Sequence, residues 1–176
     1  MFKILIPLAL ISINCFAYNR DVDYGQWIDA DGDCQDTRTE LLIKETKSQI
    51  IFTNEYSCVV KTGKWEDFYT GKIYTNAKDI QIDHLLSTHQ HYESIGKTLT
   101  KEQRVRYYND FNNLVIANST LNMSKSDKDL SEFIQRVPRE NRCKYIKKYT
   151  EIAIRNKIIP DKSDQDIINQ NKSCIL

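Results

Sequence analysis

Glycine and proline are scarce in this 176-residue chain, at five and three residues. No stretch is rich in Gly, Ser or Pro, which excludes a linker between domains. No internal repeat marks a solenoid or a propeller, and the length suits one domain. Beyond residue 17 no segment approaches the ~20 apolar residues that a membrane helix needs, so the body of the chain is expected to stay out of the membrane. Net charge is lacking too. Lys and Arg number 25 against 24 Asp and Glu, a balance that on its own argues against a nucleic-acid partner.

The N-terminus supplies the first positive signal. MFKILIPLALISINCFA carries one Lys, an apolar run too short to span a bilayer, and a small residue at Ala17, which is the pattern of a secretory signal peptide. Cys15 has the look of a lipoprotein cysteine, but the bulky polar Asn14 precedes it. Cleavage after Ala17 is therefore expected, with residues 1–17 as signal peptide and 18–176 as one exported domain, secreted or periplasmic. Removing the signal leaves Cys34, Cys58, Cys143 and Cys174. An even count in an exported chain points to two disulfides with three possible connectivities. Sequence proximity favours Cys34 with Cys58 and Cys143 with Cys174. The spacing is not that of a zinc site.

Charge is unevenly spread. From Tyr18 to Thr100 there are 9 basic and 14 acidic residues, and from Lys101 to Leu176 there are 15 basic and 10 acidic. Eight basic residues fall between Arg136 and Lys157. That end can face an anion, or simply be a solvated helix surface.

Periodicity gives the organisation. TRTELLIKETKS reads as a short helix with Leu41 and Leu42 inward, and QIIFTNEYSCVVKTGKW as a hairpin around a polar break at Thr53 to Glu55. DFYTGK makes a turn. KDIQIDHLL is a strand, with Ile80, Ile82 and His84 on one face. TKEQRVRYYNDF is a helix with a Thr cap, NLVIA a short strand, and STLNMSK a short helix capped by Ser119. DLSEFIQRV is another helix. NRCKYIKKYTEIAIRNK is a helix with Tyr145, Ile146, Tyr149, Ile152 and Ala153 along one stripe. His89 and His91 fall in a loop and read as incidental, while Tyr107, Tyr108 and Phe111 read as core rather than as a base-stacking platform.

WIDADGDCQDTRTE raises a separate question. Asp29, Asp31, Asp33 and Glu40 occupy calcium-loop positions 1, 3, 5 and 12, but Cys34 stands where such a loop needs Gly. No amphipathic helix leads into the stretch.

The residues that carry chemistry are Asp83-His84 near the end of one strand, Asn113-Leu114 starting the next, and Asn122 with Lys125 on the following helix. This constellation resembles the HNH, or ββα-metal, nuclease signature. With the flanking blocks GQWIDADGDCQDTRTELL, CVVKTGKWEDFYTGK, IDHLLSTHQHYESIGK, RYYNDFNNLVIANSTLNMSKSDKDLSEF and CKY, the chain resembles small exported HNH endonucleases. These are related to the C-terminal nuclease domain of GmrSD-type restriction enzymes, and the similarity runs from about Tyr24 to Tyr145. It departs from the family at Ser87 (usually Pro), Tyr92 (usually Trp), Ser126 (usually Gly) and Leu130 (usually Pro). As the family's N-terminal block, the acidic stretch supports the nuclease core and is not an EF-hand.

The resemblance implies an α+β fold, a ββα-metal core with an added N-terminal hairpin and C-terminal helices. It also implies a metal-dependent endonuclease acting on DNA, with RNA the alternative substrate, and with little sequence preference. Imidazole suits the proton transfer from water, because its ordinary pKa is near neutral, and His84 takes that role. Asp83 and Asn122 are the expected ligands of one Mg²⁺, or Mn²⁺, held by few protein oxygens. For both Asp83 and His84 to serve one site, the strand must end or twist there. Asn113 is expected to orient the His84 loop. Lys125 and Arg38 are expected at phosphate, with Asp36 beside Arg38. The rival readings are a non-catalytic exported binding protein on the same scaffold and a calcium-stabilised module built on Asp29 to Glu40.

Overall fold

The computed structural model describes residues 17–175; the expected signal peptide lies outside the described residues except for Ala17. A short helix α1 (Arg20–Asp23) leads through the acidic loop to α2 (Thr37–Glu45). Asp36 caps α2 by accepting the Thr39 N–H at 2.8 Å, satisfying a donor that the helix itself leaves unpaired. Leu41 and Leu42 are buried, as the helical reading requires.

The expected hairpin forms from β1 (Ile51–Phe52) and β2 (Val60–Glu66), paired antiparallel. It continues into a third strand, β3 (Ile73–Asn76), through a turn in which Gly71 takes φ +71°. No sequence signal marks β3, because none of its four side chains is buried and it shows no inward-facing alternation.

A second, two-stranded sheet holds the middle of the chain. β4 (Ile80–His84) pairs antiparallel with β5 (Leu114–Asn118), in register from Ile80 opposite Asn118 to His84 opposite Leu114. Between them lie α3 (Thr88–Ser94) and α4 (Lys101–Tyr108), and after β5 comes α5 (Ser119–Lys125). The segment with His89 and His91, expected as a loop, is therefore helical. Ser87 caps it through Gln90 N–H at 3.1 Å, a function that Pro at this position could not supply. Asn118, not Ser119, caps α5, accepting the Leu121 N–H at 3.1 Å.

The ribbon is buried on both faces. Ile80, Ile82, Leu114 and Ile116 join a smaller core with Leu41, Leu42, Val60 and Trp65. Val115 and Ala117, with Leu85 and Leu86 beyond the strand, join a larger core built on Tyr69, Phe133, Tyr145 and Tyr149. This double burial explains why NLVIA is continuously apolar instead of alternating.

The C-terminal part is helical: α6 (Leu130–Phe133), α7 (Arg139–Arg155) and α8 (Lys162–Gln170). All five stripe residues of α7 are buried. Asp129 caps α6 in a capping box with Glu132, so Leu130 sits at the first helical position, where Pro would also be accepted. The helix α8 had no sequence signal; it is pinned by Asp164, fully buried, which accepts from the Tyr149 hydroxyl and from Ser131 N–H at 2.8 Å. Both disulfides form with the expected partners, Cys34–Cys58 and Cys143–Cys174, with Cα atoms 5.2 and 4.9 Å apart. Among the described residues no helix is long and apolar enough to cross a membrane.

Candidate active site

A cleft of about 620 Å³ runs along the edge of β4 that β5 leaves free. Gln81, Ile82, Asp83 and His84 all border it, opposite Trp27 and Arg20 from the N-terminal segment and near Asn122 from α5. Its position resolves the problem of strand geometry. Asp83 and His84 project to opposite faces of the ribbon, since Asp83 stands opposite Val115 and His84 opposite Leu114. A cleft along the open edge is reached from either face, and His84 is the last residue of the strand.

His84 is 9 % exposed and held on two sides. Its Nε2 lies 2.7 Å from the carbonyl oxygen of Tyr108. A carbonyl only accepts, so Nε2 carries the hydrogen and Nδ1 keeps its lone pair. The ring stacks on the indole of Trp27 and packs at a tilt against Tyr108. Burial, reinforced by the positive charge of Lys125, pushes the imidazole pKa down to about 3, so the ring is neutral near pH 7.

Asn113 closes the loop that follows. Its side-chain oxygen accepts the Leu86 N–H at 2.9 Å and its amide donates to the Leu86 carbonyl at 3.0 Å, while its own carbonyl accepts Leu85 N–H at 2.9 Å. Asn113 is 1 % exposed and does not border the cleft. These three bonds tie Leu85 and Leu86 to the start of β5 and lock the backbone beside His84.

Asp83 is almost wholly buried. One oxygen accepts from the Tyr69 hydroxyl, and the other receives Lys125 Nζ at 3.2 Å. Burial raises its pKa, against the lowering effect of Lys125. Lys125 stands elsewhere than at a phosphate. It is fully buried, and its ammonium bonds Asp83 and the His84 carbonyl at 2.9 Å. This is a correction to the sequence reading. On a seven-residue helix with few apolar residues, the burial of one lysine left no periodic trace.

Asn122 borders the cleft, and its amide nitrogen donates to Gln81 Oε1 at 2.8 Å, which leaves its side-chain oxygen available as an acceptor. Arg38 borders the cleft as well. One of its terminal nitrogens bonds the carbonyls of Ala77 and Ile80 at 3.0 and 3.1 Å, so it also fastens α2 to the start of β4. Asp36 does not border the cleft; it is the cap of α2.

The donor set fits a hard divalent cation. One carboxylate oxygen and one amide oxygen beside an open cleft leave room for waters, the mode in which Mg²⁺ is usually held. Each Asp83 oxygen still has a lone pair beyond its present bond. Two other groups of three carboxylates come close together among the described residues: Asp29, Asp31 and Asp33, and Asp129, Asp161 and Asp164. Neither borders the cleft. In the first, Asp29 accepts the N–H groups of Gly32 and Cys34 at 2.8 and 2.9 Å, so the loop caps itself with the same carboxylate a cation would need.

Three residues of the site escaped the sequence reading. In the sequence Trp27 carries no signal of a role, Tyr69 falls in a turn, and Tyr108 reads as core. Tyr108 is indeed buried, yet its carbonyl fixes the imidazole.

Residues 35–174 match the family described as GmrSD restriction endonucleases, C-terminal domain. The chain is also 30 % identical over 112 residues to an uncharacterized secreted protein of Arthroderma benhamiae, the match covering 62 % of this chain and 52 % of that protein. The chain thus spans about half the length of that relative. No solved structure matches it.

Proposed function

The chain belongs to the family of GmrSD restriction-endonuclease C-terminal domains, and from that premise we propose that it is an exported, metal-dependent endonuclease of the HNH type. Its substrates are DNA and, secondarily, RNA, cut at phosphodiester bonds with little sequence preference. The observation that carries this reading is the neutral imidazole of His84, with Nε2–H fixed on the Tyr108 carbonyl at the edge of an open cleft.

In this reading His84 Nδ1 takes the proton from the attacking water. A base must be unprotonated before it acts, and burial ensures this. An anionic phosphate arriving beside the ring raises its proton affinity, since an opposite charge favours the charged form. Trp27 and the Tyr108 carbonyl keep the ring from turning away, and the amide of Asn113 keeps the following loop in place. Asp83 and Asn122 would hold the cation, with Tyr69 and Lys125 orienting the Asp83 carboxylate. A bound Mg²⁺ or Mn²⁺ supplies neutralisation of charge on the scissile phosphate and the leaving oxygen. Arg38, with N–H groups to spare beyond its two carbonyl bonds, is placed to meet a neighbouring phosphate. The two disulfides and the likeness to a secreted protein support an extracellular or periplasmic site of action.

The test is cleavage of plasmid and of RNA by oxidised protein lacking residues 1–17, with Mg²⁺, Mn²⁺, Ca²⁺ or EDTA, beside His84→Ala. Metal-dependent cleavage that disappears in the variant while its melting temperature holds is the expected result. A folded wild type that cuts neither substrate with any metal would make the chain a non-catalytic binding protein on a nuclease scaffold.

A further inference from the structure

A second depression, of about 760 Å³, lies along the β5 side of the same ribbon. Leu114, Val115 and Ile116 form its floor. One wall carries Lys44 and Lys47, at the end of α2 and just beyond it, and the other carries Lys144, Lys147 and Lys148 of α7. The last three are spaced by three and four residues, so they share one helix face. Two aromatic rings complete the groove. Phe68 has Lys144 Nζ 4.4 Å above its centroid, and Phe111 has Lys44 Nζ at 5.2 Å.

The charge balance in the groove is positive. Three glutamates also border it, but Glu66 is occupied by Lys47 and lies 4.0 Å from Lys144. Among the described residues, Lys44, Lys147 and Lys148 have no carboxylate partner. Basic side chains with no carboxylate partner and half-buried rings combine the two features that hold single-stranded nucleic acid: phosphates on lysines and bases on aromatic faces. Lys144 and Lys44 lie over the faces of Phe68 and Phe111, so a phosphate that draws either ammonium away frees a ring face for its base. The groove also lies close to the candidate base, since Leu114, on its floor, is the pairing partner of His84.

We propose that this groove is a binding site for a single strand of nucleic acid, which it holds outside the cleft while a bond beside His84 is cut. The proposal rests on the nuclease reading for its purpose but not for its test. Binding is measured by fluorescence anisotropy, on oxidised His84→Ala protein in EDTA with an end-labelled 20-nucleotide oligothymidylate and a duplex of equal length. Adding Lys44→Glu, Lys147→Glu and Lys148→Glu is expected to weaken single-strand binding at least tenfold. The slope of log K against log salt should fall by about 2, from about 0.7 per phosphate contact on single strands.

The same three substitutions with His84 intact are expected to leave hydrolysis of bis(p-nitrophenyl) phosphate unchanged, because that diester reaches only the cleft. Phe111→Leu should weaken single-strand binding more than duplex binding. Unaltered affinity and slope in the triple variant overturn the proposal, as does a parallel loss of diester hydrolysis. Equal effects of Phe111→Leu on both oligonucleotides would replace the single strand by a duplex backbone and overturn it too. If wild type cuts nothing but the triple variant still loses oligonucleotide binding, the groove stands and the nuclease reading falls.

Discussion

The imidazole of His84 lies parallel to the indole of Trp27, with 5.3 Å between ring centroids and 9° between ring planes. Together with the Nε2 bond to Tyr108 this fixes both the tilt and the rotation of the ring. Trp27→Ala is expected to lower kcat for phosphodiester cleavage by roughly tenfold or more, with little change in KM, since misplacing a reacting group costs orientation rather than affinity. Trp27→Phe, which keeps a stacking face, should recover most of the rate. Steady-state kinetics on a chromogenic diester distinguishes this from substrate binding, in which KM would carry the change.

The buried pair of Asp83 and Lys125 gives a prediction about stability. Lys125→Met leaves the Asp83 carboxylate buried with one partner fewer, which costs about 3–5 kcal/mol. Asp83→Asn combined with Lys125→Met should be less damaging than the sum of the two single changes, because the second removes the charge the first has stranded. Urea unfolding of the four proteins measures the coupling. Strict additivity would show that the contact at 3.2 Å contributes nothing of its own.

Ser126 follows the last residue of α5 with φ +51° and ψ −124°. A side chain at that conformation is strained, whereas glycine adopts it freely. Ser126→Gly is expected to stabilise the protein by about 0.5–1 kcal/mol, the strain relieved less glycine's extra chain entropy, or roughly 1–4 °C in melting temperature for a domain of this size. A lower melting temperature would mean that the Ser side chain makes a contact worth more than the strain.

Acid should destabilise the fold through His91. This ring stacks on Tyr107 and shares a 2.5 Å hydrogen bond with the Tyr24 hydroxyl. Burial, with Arg104 nearby, lowers its pKa to about 4 from an ordinary 6.5. Below pH 6.5 the unfolded chain takes up a proton that the folded chain refuses until about pH 4. Stability attributable to this site is therefore complete above pH 6.5 and falls by about 1.4 kcal/mol per pH unit across that window. Thermal melts from pH 7 to pH 4 measure the slope. His91→Gln should start from a lower melting temperature and lose about one proton's worth of the dependence, leaving the similar part that His84 contributes.

The legible parts of the sequence were those with a strong period or a distinctive residue type. The stripe of α7, the Thr100 cap and the burial of Leu41 and Leu42 are one-dimensional signals that packing respects. Asp83, His84, Asn113 and Asn122 were singled out together through the resemblance to the HNH signature, and the fold brings Asp83, His84 and Asn122 to one cleft, with Asn113 buried beside it. Both disulfide partners followed from proximity.

What stayed hidden depends on three-dimensional neighbours. Tyr69 is 14 residues from the carboxylate it bonds, and nothing local in DFYTGK announces that contact. Lys125 has the composition of a surface residue, and its burial follows only from the placement of Asp83 and the His84 carbonyl. The strand β3 lacked any buried side chain to make a pattern, and α3 is a seven-residue helix whose sequence, THQHYES, shows no apolar stripe.

The separation between the two site strands has a kinetic consequence. His84 and Leu114 face each other across the ribbon, yet two helices and about thirty residues lie between them in sequence. A tight hairpin closes early in folding, whereas this pairing must first meet the entropy of closing a long loop. Trp27 arrives from farther still. On the proposed reading, the unfolded chain carries every proposed reacting group without any of them being assembled, and activity would begin only where folding ends.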